Sequence, residues 1–265
     1  MKTRIALFSA TLLLALCAPL YAQHDERTYF SIDEMPDLIK ILPAPPDTTS
    51  NDFINDISRY MWGKTQRLNP ERAAIAIRDA AWQNEDVFKE YNIPFGLTLS
   101  KEGTPAIWEV LDRGVSTIGL IRIRPKAFYM RKRPFMRFNE HMLSSWEEEN
   151  LRTDGSYPSG HTIKNWSIAL ILAQINPAAA DTLFKRAYMA GESRVIVGAH
   201  WQSDVNAGYL AASIGFAKLQ SSPEFQAQMA AAQREFRILT GQEPRPAPER
   251  PRRRSRQAPR NYSVR

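Results

Sequence analysis

The most informative absence in this chain is cysteine, which occurs once in 265 residues, at Cys17. Cys17 lies in an N-terminal stretch that we expect to be removed, so the mature chain would carry no thiol. Disulfide bridges and thiolate metal sites are therefore excluded from it. The fold must be held by packing, for which about 220 residues with an ordinary apolar fraction suffice.

A hydrophobic run long enough to cross a membrane is also missing. The apolar stretch at residues 5–16 follows two basic residues and is shorter than the roughly twenty residues that a span needs. We therefore interpret residues 1–22 as a signal peptide rather than a membrane anchor. We expect cleavage near Ala22 and export to the periplasm. Lipidation at Cys17 is disfavoured because Leu16 precedes it where a Gly or Ala is usual.

The positive charge is unevenly distributed. Of the formal net charge of +7, residues 1–22 contribute +2 and residues 244–265 contribute +7, which leaves −2 for the residues between them. The segment 243–265 is rich in Pro and Arg and nearly devoid of apolar side chains, so we expect it to be disordered. Such a basic tail could contact a polyanion or a membrane surface, but nothing in it indicates specific nucleic-acid recognition.

Helical periodicity dominates residues 23–242, which we expect to form one domain, and no segment alternates over the length of a strand. Helix starts are marked by Ser50 or Asn51 and by Asn69-Pro70. The predicted fold is all-α, a single helical-bundle domain around a central helix pair. Helices are expected within residues 32–42, 51–61, 70–82, 104–120, 166–175, 178–189, 204–219 and 223–239, with Pro125 kinking or closing the fourth.

One motif and three basic residues indicate an anion site. Pro158-Ser-Gly-His161 precedes an apolar helical segment, so the backbone N–H groups of Ser159 and Gly160 are expected to lack intrahelical partners and to attract an anion. A phosphate also needs fixed cations. The chain offers Lys126, Arg133 and Arg194 for this purpose.

A further motif supplies a nucleophile. His200 and Asp204 stand four residues apart, which on a helix places them on one face. The carboxylate of Asp204 would then hold one imidazole nitrogen and fix the tautomer of His200. The other nitrogen would be left to attack.

These motifs resemble the signature of the type-2 phosphatidic-acid phosphatase superfamily, and the residues around them are similar to class A bacterial non-specific acid phosphatases. The matching elements are Lys126-x6-Arg133-Pro134, Pro158-Ser-Gly-His161 and Ser193-Arg194-x5-His200-x3-Asp204. The resemblance covers roughly residues 42–236 and implies a vanadium-haloperoxidase-like fold, often as a homodimer.

The same resemblance implies a cofactor-free phosphate monoesterase of broad specificity that works by two-step phosphoryl transfer. His200, oriented by Asp204, would form a phosphohistidine. His161 would protonate the leaving group and then activate water. The phosphate oxygens would be held by Lys126, Arg133, Ser159, Gly160 and Arg194.

Other readings of these residues are weaker. The neighbouring cations argue against a zinc site on the histidines and Asp204, because they repel a divalent metal ion. The absence of a Gly-x-Ser-x-Gly motif argues against a Ser-His-Asp hydrolase. An apyrase-like nucleotide phosphohydrolase stays open. A vanadate-dependent haloperoxidase is a more distant alternative, and polyanion binding by the tail would be an accessory property.

Overall fold

A computed structural model describes residues 27–244 of the chain. This part is helical, and no strand occurs within it. The helices are α1 (Leu38–Ile41), α2 (Asn51–Gln66), α3 (Pro70–Arg78), α4 (Asn84–Lys89), α5 (Asn92–Phe95), α6 (Pro105–Gly119), α7 (Ile123–Tyr129), α8 (Pro134–Phe138), α9 (Glu148–Arg152), α10 (Gly160–Ile175), α11 (Ala180–Val197), α12 (Gln202–Leu219) and α13 (Pro223–Leu239). The all-α prediction is confirmed.

Helix α10 is the centre of the fold. Twelve of its sixteen residues are buried, on every side of the helix, because it packs against α6, α11 and α12. The predicted central pair corresponds to α10 and α11, and α13 closes the bundle against α6. The beginning of α10 carries the Pro158–His161 motif, so the most buried helix of the domain also positions the predicted anion site.

Several helix ends follow their predicted caps. Ser50 accepts a hydrogen bond from the Phe53 N–H at the start of α2, and Asn69 accepts from Glu71 and Arg72 at the start of α3. Helix α13 has the predicted bounds. These ends were predictable because a cap depends on residues that are adjacent in sequence.

Other boundaries differ from the predictions. The first helix is limited to Leu38–Ile41, and α11 continues to Val197, so that Ser193 and Arg194 lie on a helix. Pro125 does not end a helix: it lies in the first turn of α7, where the missing N–H has no intrahelical acceptor to lose. The break occurs earlier, at a 3₁₀ turn over Leu120–Arg122.

The predicted signal peptide at residues 1–22 and nearly all of the predicted basic tail lie outside the described residues. Among residues 27–244, no helix has the length and apolar character needed to cross a membrane.

Candidate active site

His200 lies in the turn between α11 and α12, and Asp204 is the third residue of α12. The two side chains are therefore not stacked on one helix face, as their spacing predicted. The turn brings them together instead: His200 Nδ1 lies 3.4 Å from Asp204 Oδ2, and the same oxygen accepts a 2.8 Å hydrogen bond from the Trp201 N–H. The predicted pair thus forms, through a helix N-terminus that fixes the carboxylate.

The second nitrogen of His200 is not unpartnered. Its Nε2 lies 3.1 Å from Arg133 Nη1, which can donate to it when the imidazole is neutral with its proton on Nδ1. Ser156 supports this tautomer, because its hydroxyl contacts both His200 Nδ1, at 3.3 Å, and Asp204 Oδ2. The imidazole is held in one orientation from both ends.

Burial lowers the pKa of His200 to about 3, and the positive charge of Arg133 acts in the same direction. Asp204 favours the imidazolium and so opposes this shift, but it does not outweigh the effect of burial. His200 is therefore a neutral base at mildly acidic pH, and a neutral imidazole is the nucleophilic form.

Lys126 and Arg133 converge on one carboxylate that the sequence analysis did not single out. Asp154 Oδ2 accepts hydrogen bonds from Lys126 Nζ at 2.8 Å and from Arg133 Nη2 at 2.9 Å. Burial lowers the pKa of Lys126 to about 8 and that of Arg133 to about 10. The side chain of Asp154 is 45% exposed, so this carboxylate has room to yield its place to another anion.

Arg194 is the most conspicuous cation of the site. It is fully buried, and its Nη2 donates to Glu147 at 3.0 Å, while its Nε and Nη1 have no partner among the described residues. Buried guanidinium N–H groups without acceptors are costly, so an acceptor is expected to bind there. Glu147 Oε1 also lies 3.9 Å from His161 Nε2.

His161 is the second residue of α10, and its Nε2 lies 3.2 Å from the Ala80 carbonyl oxygen. Its imidazole packs edge-on against the indole of Trp82, with 4.9 Å between the ring centroids. Burial lowers the pKa of His161 well below its usual value, and Arg194 and His200 add to the effect. Without a bound anion, His161 is therefore neutral.

Only one of the two predicted backbone donors is available. The Ser159 N–H donates to the Asp204 carbonyl at 3.0 Å, and the Ser159 hydroxyl caps α10 by accepting from the Thr162 N–H. Gly160, the first residue of α10, keeps an N–H without an intrahelical acceptor. A Cβ at this position would lie 3.1 Å from Arg122 Cδ, so glycine permits the close approach of that arginine.

A cavity of about 690 Å³ opens onto these groups. Its polar wall includes Lys126, Arg133, Gly160, His161 and His200, whereas Ser159, Arg194 and Asp204 lie behind the surface. Three partly exposed apolar side chains, those of Ile77, Trp82 and Trp146, also line the cavity. The cavity thus combines a polar, cationic wall with an apolar one.

The residues that sequence reasoning missed are mostly the partners of the predicted ones. Arg131 joins Asp204 to Asp56, and Asp154 joins Lys126 to Arg133. Arg131 stands inside the basic segment between Lys126 and Arg133, and Asp154 directly precedes Gly155, so proximity to a motif was the available signal. No such signal marked Trp82 or Glu147.

The family of the chain follows from comparison with known proteins. Residues 113–224 match the model of the PAP2 superfamily. The chain is 38% identical to a non-specific acid phosphatase of Providencia stuartii over 80% of this chain and 85% of that protein. It is 35% identical to a non-specific acid phosphatase of Salmonella typhi over 89% and 93% of the two chains, and 35% identical to an acid phosphatase of Zymomonas mobilis over 73% of each. The chain therefore belongs to the non-specific acid phosphatase family of the PAP2 superfamily.

Proposed function

We propose that this protein is an acid phosphatase that hydrolyses phosphate monoesters of broad structure through a phosphohistidine at His200. The observation that carries the proposal is the pairing of His200 with Asp204 at the floor of a cavity whose wall holds Lys126 and Arg133. A neutral imidazole beside fixed cations is suited to attack on a bound phosphoryl group.

In the first step, His200 Nε2 forms a bond to phosphorus as the ester P–O bond breaks. The leaving alkoxide takes a proton from His161. In the second step, His161 removes a proton from water, whose oxygen attacks phosphorus, and the N–P bond breaks to release inorganic phosphate. Asp204 stabilises the positive charge that His200 carries while it is bonded to phosphorus.

The phosphoryl oxygens would be held by Lys126, Arg133, the buried unpartnered N–H groups of Arg194 and the N–H of Gly160. The hydroxyl of Ser159 would have to leave its contact with Thr162 to join them. Substrate also has to displace the Asp154 carboxylate from Lys126 and Arg133. Bound phosphate would return the proton to His161, because a nearby anion raises the pKa of an imidazole.

No metal is needed for this chemistry. The donor set around His161 and His200 is rich in arginine and lysine, and these fixed positive charges oppose a divalent cation. We further propose that residues 1–22 direct export to the periplasm and that the mature enzyme is a homodimer, as its family resemblance implies.

The test is phosphate release from p-nitrophenyl phosphate, nucleoside monophosphates, ATP and pyrophosphate, with EDTA present throughout. We expect turnover of the monoesters in EDTA and acid-labile labelled phosphate on the wild-type protein. His200→Ala should abolish both signals, whereas His141→Ala, which alters a side chain that is 87% exposed, should retain them. Labelled phosphoenzyme in the His200→Ala protein would contradict the assignment of His200 as the nucleophile. A requirement for added metal would contradict the metal-free mechanism.

A further inference from the structure

A second cavity, of about 640 Å³, adjoins the catalytic one. Trp82, Gln83, Arg122 and Gly160 line both cavities, so these four residues form the boundary between the two. The phosphoryl chemistry described above uses none of the residues that line the second cavity alone. Its polar lining nevertheless contains two largely buried cations, Lys164 and Arg122.

Lys164 projects from α10 one turn after Gly160 and lines the second cavity but not the first. Its Nζ donates to the Trp82 carbonyl and, at 2.7 Å, to Asn84 Oδ1. An ammonium group has three N–H donors, so one remains for a ligand. Burial lowers the pKa of Lys164 to about 8, with the charge of Arg122 adding to the effect, and the side chain is therefore protonated at acidic pH.

Arg122 stands at the boundary of the two cavities. Its guanidinium lies 5.2 Å from the Trp82 ring, and one N–H donates to the Gly119 carbonyl. Within residues 27–244, neither Arg122 nor Lys164 has a carboxylate within ion-pairing distance. Largely buried charges are normally paired, so two neighbouring cations without carboxylate partners indicate a place for an external anion.

The carboxylates of the second cavity are already engaged elsewhere. Glu85 pairs with Lys101 at 2.5 Å, and Asp112 accepts a 2.6 Å hydrogen bond from the Asn84 side chain. Asp112 is close enough to raise the pKa of Lys164. This effect is smaller than the lowering of the pKa by burial and by the charge of Arg122. At Lys164 the charge of Arg122 therefore outweighs that of Asp112.

The indole of Trp82 connects the two cavities. Lys164 Nζ lies 4.1 Å from the centroid of this ring, and the imidazole of His161 also contacts the ring, with 4.9 Å between the centroids. Lys164 also contributes to lowering the pKa of His161, as a charge close to the catalytic cavity would. A ligand a few bonds long could reach from the phosphoryl site to Lys164 across this ring.

We propose that the second cavity is an anion subsite, in which Lys164 and Arg122 bind a second phosphate or carboxylate group of an ester whose scissile phosphoryl group lies at His200. The proposal rests on the phosphatase function proposed above. It predicts a preference for phosphate esters that carry a further anionic group at the far end of a short chain. Trp82 would pack against the connecting chain, and the side chain of Arg122 would face both anionic groups.

The experiment compares kcat/KM for butyl phosphate, ω-hydroxybutyl phosphate, ω-carboxybutyl phosphate and butanediol bisphosphate at acidic pH. A charge-assisted hydrogen bond in a partly desolvated site should favour the doubly anionic esters by about tenfold, beyond the statistical factor of the bisphosphate. The shorter ethanediol and longer hexanediol bisphosphates show which chain length best spans the distance between the phosphoryl site and the subsite. The carboxylate and bisphosphate arms show which anion the subsite prefers.

Lys164→Met should lower kcat/KM for the doubly anionic esters about tenfold more than for butyl phosphate. Lys164→Arg should keep most of the preference for the doubly anionic esters. This variant tests the subsite if Lys164→Met fails to fold. Lys185→Met makes the same change of net charge at an exposed position of α11 that lines neither cavity, and it should change nothing.

Equal kcat/KM for butyl phosphate and the doubly anionic esters in the wild-type protein would overturn the subsite while leaving the phosphatase intact. An equal loss on all four esters in both Lys164 variants would also overturn it. Failure of the wild-type protein to release phosphate from any of the esters would overturn the proposed function and the subsite together.

Discussion

Arg131 Nη1 donates a 2.5 Å hydrogen bond to Asp204 Oδ1, on the side of the carboxylate that faces away from His200. The other terminal nitrogen of Arg131 donates to Asp56 at 2.7 Å. All three side chains of this ion triad are nearly inaccessible to solvent. Burial alone would raise the pKa of Asp204, but Arg131 and the hydrogen bonds from His200 and Ser156 lower it, so the carboxylate stays ionised beside the imidazole.

Arg131→Met should therefore destabilise the fold and disturb the catalytic pair. Removing one member of a buried ion cluster leaves uncompensated charge, and we expect a loss of about 3 kcal/mol in the free energy of unfolding. Turnover of the folded fraction should fall about tenfold, because Asp204 loses the hydrogen bond that fixes its position. Urea denaturation and kcat on p-nitrophenyl phosphate measure the two effects.

The control is Arg237→Met, which breaks an ion pair with Glu243 on the exposed face of α13. Pairs of this kind contribute at most about 1 kcal/mol. Equal stability of the Arg131→Met and Arg237→Met proteins would show that the buried triad does not hold the site.

Stability should fall as the pH falls below neutrality. The unfolded chain protonates an ordinary histidine near pH 6.5, whereas the folded protein protonates His200 only at about pH 3. Between these values the unfolded chain binds more protons, so His200 removes up to about 1.4 kcal/mol of stability for each unit of decreasing pH. His161, whose pKa is also lowered, acts in the same direction.

Urea denaturation at several pH values between 4 and 6.5 tests this linkage. His200→Gln should have a shallower dependence on pH than the wild-type protein, while the exposed substitution His141→Gln should keep the steep one. Parallel curves for wild type and His200→Gln would show that His200 is already protonated in the folded protein.

His161→Ala should separate substrates by their leaving groups. An alkoxide needs a proton as the P–O bond breaks, whereas a nitrophenolate leaves as a stable anion, so general acid catalysis matters for alkyl esters only. We expect kcat/KM, which reports formation of the phosphohistidine and not its hydrolysis, to fall by about 10² or more on butyl phosphate and by much less on p-nitrophenyl phosphate. Comparable losses on both substrates would argue against His161 as the general acid.

Gly155→Ala should damage the site without removing a functional side chain. A Cβ at Gly155 would overlap the carbonyl oxygen of Lys126, which is backbone and cannot rotate away. The Gly155 carbonyl also accepts from Lys126 and Arg133, so displacement of this segment moves both cations. We expect a loss of about 1–3 kcal/mol in unfolding free energy and a raised KM for p-nitrophenyl phosphate.

The matched control is Gly103→Ala, where the nearest atom to a new Cβ is the hydroxyl oxygen of Ser100, at the end of a short side chain. This variant should keep the wild-type KM. An unchanged KM for Gly155→Ala would show that Lys126 and Arg133 do not depend on the position of this backbone segment.

The helical class, the capped starts of α2 and α3 and the three motifs could be read from the sequence, because each depends on residues close together in the chain. The bounds of α11 could not, since Ser193 and Arg194 are kept helical by burial against neighbouring helices. The identity of the predicted site residues depends on local motifs. Of these residues, Lys126, Arg133, Gly160, His161 and His200 line one cavity, whereas Ser159, Arg194 and Asp204 do not.

The hydrogen-bond partners and charge states were decided by the tertiary structure. Whether the Ser159 N–H is available depends on the Asp204 carbonyl, 45 positions away in the chain, and the pKa of His200 depends on burial by several distant segments. Lys164 and Arg122 are likewise unremarkable in the sequence and become neighbours only when α10 packs beside α6, which is followed by the 3₁₀ turn that carries Arg122. Desolvation and competition for donors arise between segments that folding brings together, so residue spacing determined the chemistry that is present and packing determined the state in which it is held.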